Sequence, residues 1–255
     1  MDSVRLLKAL AKQFPKRLAA RYHDYVGKMY GKLPKEVHKI LLCLDFDKEV
    51  LPSAIEFKPD MIISHHPFIY GTLYQVLKRD EIKRNLVQEL EKYNFVVYSF
   101  HTNFDSGKGG MNDALTAALG LENVYQPEDE PCMRIGYLKE EMDVNEFAKL
   151  AKETFKVDYS LLINKGKSKV KKIGIVGGGG SRDWPIAKAE GCDIYISGDA
   201  PHYVRRDIIL NEYNYLDMPH EIEKIFMPTM KNILLSIDDS LEILIVDHEQ
   251  LPKVI

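Results

Sequence analysis

The sequence predicts an α/β protein made of two similar halves, each with a mixed, mostly parallel sheet packed against helices. Short apolar runs of strand length alternate with segments whose apolar residues recur every three or four positions, as in amphipathic helices. The same alternation resumes after residue 131, so the second half repeats the first. We therefore predict domains at 1–123 and 124–255, with residues 122–131 as the candidate linker.

The first half is predicted to begin with an amphipathic helix that Ser3 caps and Pro15 ends. Continuous apolar runs, typical of strands buried on both faces, predict strands at 40–44, 61–64 and 95–100. Segments with one apolar face predict helices at 80–93 and 112–119. Gly120 follows the second of these helices and supplies the left-handed residue that ends many helices.

The second half is predicted to begin with a helix at the capping box formed by Asp143 and Glu146. Apolar runs predict strands at 159–163, 172–176, 193–197 and 241–246. Helices are predicted at 203–213 and 222–235, the latter kinked at Pro228.

Composition is that of an ordinary soluble protein and excludes several classes. The 255 residues carry 35 Lys and Arg against 38 Asp and Glu, a formal charge of −3 that disfavours nucleic acid as the main partner without excluding it. No apolar run approaches the ~20 residues that span a bilayer, and the first residues do not resemble a secretory signal. The three cysteines are scattered without a C-x-x-C pair, which favours a reducing cytoplasm.

Polar side chains follow several predicted strands, where the functional sites of open α/β sheets lie. Five of the eight histidines occur at such ends, two of them adjacent. The candidate residues are His65, His66, His101, Asp105, His202, His220 and Glu223.

Histidine and carboxylate together suit Zn²⁺, Mn²⁺ or Fe²⁺. In an extended chain the side chains of His65 and His66 would point to opposite faces, so each could serve a different ion. This predicts a dinuclear site with a carboxylate between the ions. His220 and Glu223, three residues apart, share one side of a helical turn, whereas Glu221 points elsewhere.

Each candidate also has a structural interpretation. His101 could be a buried histidine or a partner of a ligand, His202 could cap backbone groups, and Asp105 could be a turn residue. The remaining histidines are assigned to the surface or to packing: His23, His38 and His248.

The glycine run at 177–180 follows a predicted strand and precedes a predicted helix. Its amides could bind a phosphate or another anion. It lacks the Lys-Ser/Thr ending of a P-loop, and close packing of the backbone against the other half explains it as well.

Four motifs resemble, in order, the signatures of the GTP cyclohydrolase 1 type 2 family, also called the Nif-three-like family. They lie at 62–70, at 101–105 followed by 109–115, at 177–180, and at 197–202. The resemblance covers most of the chain and fits the short members that lack an inserted domain. It implies a two-domain α/β fold with a dinuclear metal centre between the halves, assembled as a toroidal homohexamer.

The resemblance also implies roles for single residues. His65, His66 and Asp105 would be metal ligands, with Asp105 as the bridge, and His220 and Glu223 would complete the shell. The family motif places the last two residues four apart, whereas here they are three apart. The segment 22–28 also departs from the family's early Trp-Asp-Asn-Val-Gly-Leu motif, which leaves the nucleotide specificity open.

These observations predict a hydrolase with two divalent ions per chain, of Zn, Mn or Fe, acting on a small nucleotide-like molecule such as GTP. Metal-activated water would attack the substrate, with His101 and His202 as general acid or base. The alternative is a metal-bearing scaffold that binds a nucleotide, nucleic acid or protein partner without turnover. A Ser/His/Asp hydrolase is disfavoured because no Gly-x-Ser-x-Gly motif occurs.

Overall fold

The structure, a computed structural model, describes residues 1–253. Strands are β1 Gly27–Tyr30, β2 Lys39–Cys43, β3 Met61–Ser64, β4 Val97–Ser99, β5 Glu122–Tyr125, β6 Arg134–Asp143, β7 Leu161–Asn164, β8 Lys169–Ile175, β9 Ile194–Gly198, β10 Asn214–Met218 and β11 Glu242–Ile245. Helices are α1 Ser3–Gln13, α2 Arg17–Ala20, α3 Leu51–Phe57, α4 Leu73–Arg79, α5 Glu81–Tyr93, α6 Thr102–Ser106, α7 Met111–Ala118, α8 Val144–Phe155, α9 Trp184–Ala189, α10 His202–Leu210 and α11 Phe226–Ile237.

The chain divides into two compact units at different positions from the predicted domains. The first unit contains Met1–Gly110 and Phe226–Glu249, and the second contains Met111–Ile225 and the residues from Gln250. The chain returns to the first unit because β11 pairs in parallel with β2. A boundary placed from a single change in composition cannot detect such a return.

The first unit contains a five-stranded sheet in the order β1-β4-β3-β2-β11. All neighbouring pairs are parallel except β1 with β4, so this sheet is mostly parallel, as predicted. Strand β2 is apolar from Ile40 to Cys43, and these residues are fully buried. Helices α3 and α5 contribute Ala54 and Leu86 to the core beside the sheet.

The second unit contains a six-stranded mixed sheet in the order β5-β6-β8-β9-β10-β7. Strands β8, β9 and β10 are parallel, and the outer pairs are antiparallel. The predicted linker is wrong at its start, because β5 occupies 122–125 and pairs with β6. Strand β6 was not predicted, since its second half carries the exposed charged run 139–141, which hides the apolar pattern.

Local signals were correct in several places and wrong in others. Asp143 caps α8 by accepting hydrogen bonds from the next turn, and Gly120 has a φ of +66° after α7, as predicted. The first helix is capped by Asp2, not Ser3, because the Asp2 carboxylate accepts a hydrogen bond from the Arg5 amide.

The last predicted helix does not kink at Pro228. A 3-10 turn at His220–Ile225 precedes α11, so the proline lies in the first turn, where its missing N–H removes no helical hydrogen bond. Among residues 1–253, no helix combines the length and the apolar character needed to cross a membrane.

Candidate metal centre

Three histidines of the first unit lie together at the carboxyl ends of β3 and β4. These strands are parallel neighbours, with Ser64 opposite Ser99, so the residues that follow them meet at one edge of the sheet. One ring nitrogen from each of His65, His66 and His101 lies within 4.8 Å of the others. We call these three residues the histidine cluster.

The adjacent histidines are not extended, contrary to the premise of the sequence argument. His65 and His66 lie in a bend after β3, and their amides donate to the carbonyl oxygen of Leu44 at 3.1 and 3.0 Å. The bend brings both rings to the same side, with centroids 5.0 Å apart. Both imidazoles can therefore approach one ion, which the alternation of an extended chain would disfavour.

His65 is fully buried, and its surroundings fix its tautomer. Its Nδ1 lies 2.8 Å from the carbonyl oxygen of Phe100, which can only accept, so Nδ1 carries the proton. The lone pair is then on Nε2, which lies 3.7 Å from Oδ1 of Asp105. Asp105, on the short helix α6, is itself buried. A neutral imidazole lone pair and a carboxylate oxygen converging in a buried place form a donor set for a cation.

Carboxylates fix the other two histidines of the cluster in the same way. His66 Nδ1 lies 2.7 Å from Oδ2 of Asp45, and His101 Nδ1 lies 2.7 Å from Oδ2 of Asp24. The Thr102 hydroxyl also donates to the Asp24 oxygen at 2.7 Å. Because Nδ1 donates in each case, Nε2 presents the lone pair. A carboxylate behind the histidine is the arrangement that orients ligands in metal sites.

The two orienting carboxylates stay ionised at neutral pH. Burial alone would raise the pKa of Asp24, but hydrogen bonding and attraction to His101 outweigh it and lower the pKa. The pKa of Asp45 is also lowered, because the interactions with His66 outweigh burial. Each carboxylate is therefore a charged acceptor for the Nδ1–H of its histidine.

His220 and Glu223 of the second unit form a contacting pair on the 3-10 turn His220–Ile225. His220 Nδ1 lies 2.6 Å from Oδ2 of Asp199, and its Nε2 lies 3.0 Å from Oε2 of Glu223. Two ligands bound about 2.1 Å from one ion lie roughly 3.0 to 3.4 Å apart, so this spacing fits a shared ion. Glu223 is buried and contacts His220, which favours it over Glu221 as the ligand.

The glycine run lies against this pair, within the second unit. Gly178 has a φ of +64°, and a Cβ atom on it would overlap the carboxylate of Glu223. The amide of Gly177 donates to the side chain of Asn112 at 2.8 Å. Close packing therefore accounts for Gly178, whose neighbour is Glu223. It also accounts for Gly177, whose neighbours Leu115 and Asn112 belong to the predicted domain 1–123. Anion binding by this run stays a prediction.

The remaining histidines lie apart from both groups. His202 is exposed at the first residue of α10, and no metal-ligand group found among residues 1–253 includes it. Its predicted acid–base role stays a prediction, as does that of His101, which the geometry places with the ligand candidates. His38 is exposed beside Glu36, and His248 contacts Asp47 at 3.0 Å.

No role was assigned from the sequence to the orienting carboxylates Asp24, Asp45 and Asp199, although the motif at 197–202 contains Asp199. Asp199 directly follows β9 and Asp45 lies two residues after β2, so both are at strand ends, where functional residues are expected. Asp24 lies in a loop 77 residues before its partner His101, and no local pattern marks it.

Chemically, the two groups fit a divalent transition metal. They combine imidazoles whose Nδ1 is held by an oxygen acceptor with carboxylates, the mixed nitrogen and oxygen set that suits Zn²⁺, Mn²⁺ or Fe²⁺. Neither metal-ligand group found among residues 1–253 includes a cysteine, and Cys43, Cys132 and Cys192 are buried and form no disulfide with one another.

Known relatives resemble the chain over most of its length. A Lactococcus lactis protein named GTP cyclohydrolase 1 type 2 homolog is 31% identical over 233 residues, which cover 90% of each chain. A Clostridium perfringens protein of the same name is 33% identical over 203 residues, 77% of each chain.

Solved structures have the same fold. A Bacillus cereus protein related to NIF3 is 23% identical and superposes with a TM-score of 0.87, covering 100% of this chain and 99% of its own. A Staphylococcus aureus protein superposes equally well at 21% identity, with the same coverage. A sequence profile of the Duf34/NIF3 (NGG1p interacting factor 3) family matches residues 1–252. The chain belongs to the Duf34/NIF3 family, as the motifs of its sequence predict.

Proposed function

We propose that this protein is a divalent-metal-dependent hydrolase that acts on a nucleotide-like substrate. The observation that carries the proposal is the common arrangement of His65, His66, His101 and His220. Each of the four directs Nδ1 to a carbonyl or carboxylate oxygen, so that Nε2 presents the lone pair. Histidines that ligate a metal usually donate the other ring N–H to such an oxygen.

The chain's own residues hold and orient the ligand atoms. Phe100, Asp45 and Asp24 fix the rings of the histidine cluster, and Asp199 fixes His220. A bound divalent ion would supply Lewis acidity and lower the pKa of a bound water to about 7. The names of the relatives support a nucleotide such as GTP, whose imidazole ring would be hydrolysed with release of formate.

We further propose two ions per chain, with ligands His65, His66 and Asp105 in the first unit and His220 and Glu223 in the second. The dinuclear arrangement and the bridging role of Asp105 rest on the sequence and the family resemblance. Metal analysis of protein purified without added metal tests them: about two ions per chain supports the dinuclear site. Fewer than one ion per chain after reconstitution would contradict the dinuclear site.

The test of function compares wild-type protein with His66→Ala and with His38→Ala as the matched control. Each is loaded with Mn²⁺, Zn²⁺ or Fe²⁺, and formate released from GTP is measured. We expect metal-dependent release from wild type and His38→Ala, and at least ~100-fold less from His66→Ala. His38 is a suitable control because its side chain is exposed and remote from the ligand candidates.

The alternative function is a metal-bearing scaffold without turnover. This scaffold hypothesis is supported if the wild-type protein binds metal stoichiometrically but releases no formate from GTP with any of the three ions. Other phosphoester or amidine substrates would then be assayed before the hydrolase is abandoned. Assembly as a homohexamer is a separate proposal from the resemblance, and native mass spectrometry measures it directly.

A further inference from the structure

A cavity of about 350 Å³ in the first unit lies beside the segment that departs from the family motif. Lys16, Tyr25, Lys28, Ile69 and Leu73 are among its lining residues, so it combines basic and apolar surfaces. This volume lies at the lower end of the range for small-molecule sites, roughly 300 to 1,000 Å³. None of the candidate metal ligands named above lines this cavity.

The cavity carries positive charge that its one acid does not neutralise. Asp24 also lines it, but Oδ1 accepts a hydrogen bond from the Tyr25 amide and Oδ2 accepts from Thr102, both at 2.7 Å. Oδ2 also accepts a hydrogen bond from Nδ1 of His101, so both oxygens of this carboxylate already have hydrogen-bond donors. Lys16 and Lys28 therefore make the cavity attractive to an anion.

Gly27 makes room for one of these ammonium groups. Its φ is +104°, and a Cβ atom there would overlap Nζ of Lys16. The absence of a side chain lets the ammonium lie directly against the backbone inside the cavity. Lys28 follows in the chain and donates to the Gly31 carbonyl at 3.0 Å, which holds its side chain along the strand edge.

Two tyrosines form an exposed aromatic rim beside the lysines. The rings of Tyr25 and Tyr70 meet edge to face, with centroids 5.1 Å apart, and the residues are 43% and 55% exposed. Exposed rings of this kind stack on nucleobases, a contact that tolerates different bases. Tyr25 directly follows Asp24, so the rim is one residue from the carboxylate that orients His101.

We propose that Lys16, Lys28, Tyr25 and Tyr70, the lysine–tyrosine pocket, bind a nucleotide next to the histidine cluster. The tyrosines stack on the base and the lysines pair with the phosphate. This inference deepens the proposed function, on which it rests, by assigning substrate-binding residues that neither the motifs nor the relatives' names provide.

The test measures binding to protein stripped of metal, so that its result does not depend on turnover. Dissociation constants of GMP, guanosine and ribose 5-phosphate are determined by titration calorimetry. We expect Tyr25→Ala and Tyr70→Ala to weaken GMP and guanosine about 10-fold, since stacking is lost. Lys16→Met and Lys28→Met should weaken GMP and ribose 5-phosphate about 5- to 10-fold and leave guanosine unchanged. Tyr25→Phe, which keeps the ring, should bind GMP as wild type does.

Matched controls come from the same region. Tyr74 is 75% exposed and Lys32 is exposed, and neither lines the cavity, so Tyr74→Ala and Lys32→Met should bind as wild type does. GMP affinity that is unchanged in all the pocket variants, or absent at millimolar GMP, overturns the proposal. So does a change in oligomeric state without a change in affinity, which would assign this face to a second copy of the chain.

The two proposals can fail separately. Normal metal content and formate release with no effect of the pocket variants on GMP binding rejects the pocket alone. GMP binding that depends on Tyr25 and Lys16, in a protein that never binds metal, rejects the hydrolase alone.

Discussion

The histidine cluster of the first unit and the His220–Glu223 pair of the second use the same device in different surroundings. In both, an oxygen acceptor holds Nδ1 so that Nε2 presents the lone pair. His65 is completely buried and the side chain of Asp24 is 3% exposed, whereas the side chains of His220 and Asp199 are 36% and 58% exposed. Orientation is therefore fixed from the interior at His65 and His101. At His66 and His220 it comes from partly exposed carboxylates, since the side chains of Asp45 and Asp199 are 46% and 58% exposed.

The two groups depend on different numbers of chain segments. The cluster needs three distant segments, at Asp24, Asp45 and Phe100, to meet behind its rings. The pair needs one short turn and a glycine that leaves room for Glu223. We expect the buried cluster to bind metal more tightly, because its ligands lose less freedom on binding.

The largest expected effect separates the two sites directly. His65→Ala should reduce the metal in purified protein to roughly a tenth or less, since it removes a buried ligand. His220→Ala should retain about half or more, because the cluster remains. Mass-spectrometric metal analysis measures both, and thermal unfolding checks that each variant folds. Equal losses in the two variants would contradict the ranking, and His66→Ala replaces His65→Ala if the latter does not fold.

The second prediction concerns a glycine whose substitution would displace Glu223 of the His220–Glu223 pair. Gly178→Ala should weaken metal binding about 10- to 100-fold, because the new Cβ displaces Glu223 and the φ of +64° disfavours alanine. Gly179→Ala is the matched control, since its Cβ would meet its nearest neighbour, Asp199, at an ordinary 3.7 Å. Metal titration by calorimetry compares them, and indistinguishable affinities would mean that Glu223 is not a ligand.

The third prediction compares the orienting carboxylates. Asp24→Asn and Asp199→Asn each remove the charge behind one histidine while keeping the shape of the side chain. We expect Asp24→Asn to cost about 10- to 100-fold in metal affinity and Asp199→Asn less, because water screens the exposed pair. Asp2→Asn, which changes only a helix cap, serves as the control. A larger loss of metal affinity in Asp199→Asn than in Asp24→Asn would contradict the expectation that buried carboxylates contribute more.

The smallest expected effect concerns the stability of the second unit. Burial, with repulsion from Glu130, raises the pKa of Asp183 from 3.8 to about 6. The folded state therefore binds this proton more tightly than the unfolded state, and stability falls as pH rises from about 4 to about 6. The difference corresponds to at most about 3 kcal/mol, and about 1 to 2 after solvent screening.

Asp183→Asn should accordingly be about 1 to 2 kcal/mol more stable than wild type at pH 8 and nearly equal to it at pH 3.5. Urea unfolding at the two pH values measures the difference, with exposed Asp239→Asn as the control. A constant difference across this pH range would reject the assignment to Asp183.

Fold class and family could be predicted from the sequence alone, together with the positions of the candidate ligands at the strand ends. Apolar runs such as 40–44 and 61–64 are too short for an ordinary helix and are typical of strands buried on both faces. His65 and His66 follow β3 directly and His101 follows β4. The location of the cluster could therefore be predicted, because functional sites of α/β sheets lie at the carboxyl ends of strands.

The oxygen acceptors behind the candidate ligands and the boundary between the two units could not be predicted from the sequence. The bend at His65 and His66, the contact of Asp24 with His101 and the return of β11 to the first sheet join residues far apart in the chain. Local periodicity reports which face of an element is buried and carries no information about which distant segment covers it. The candidate ligands could therefore be chosen from local sequence, whereas the orientation of their rings depends on tertiary packing.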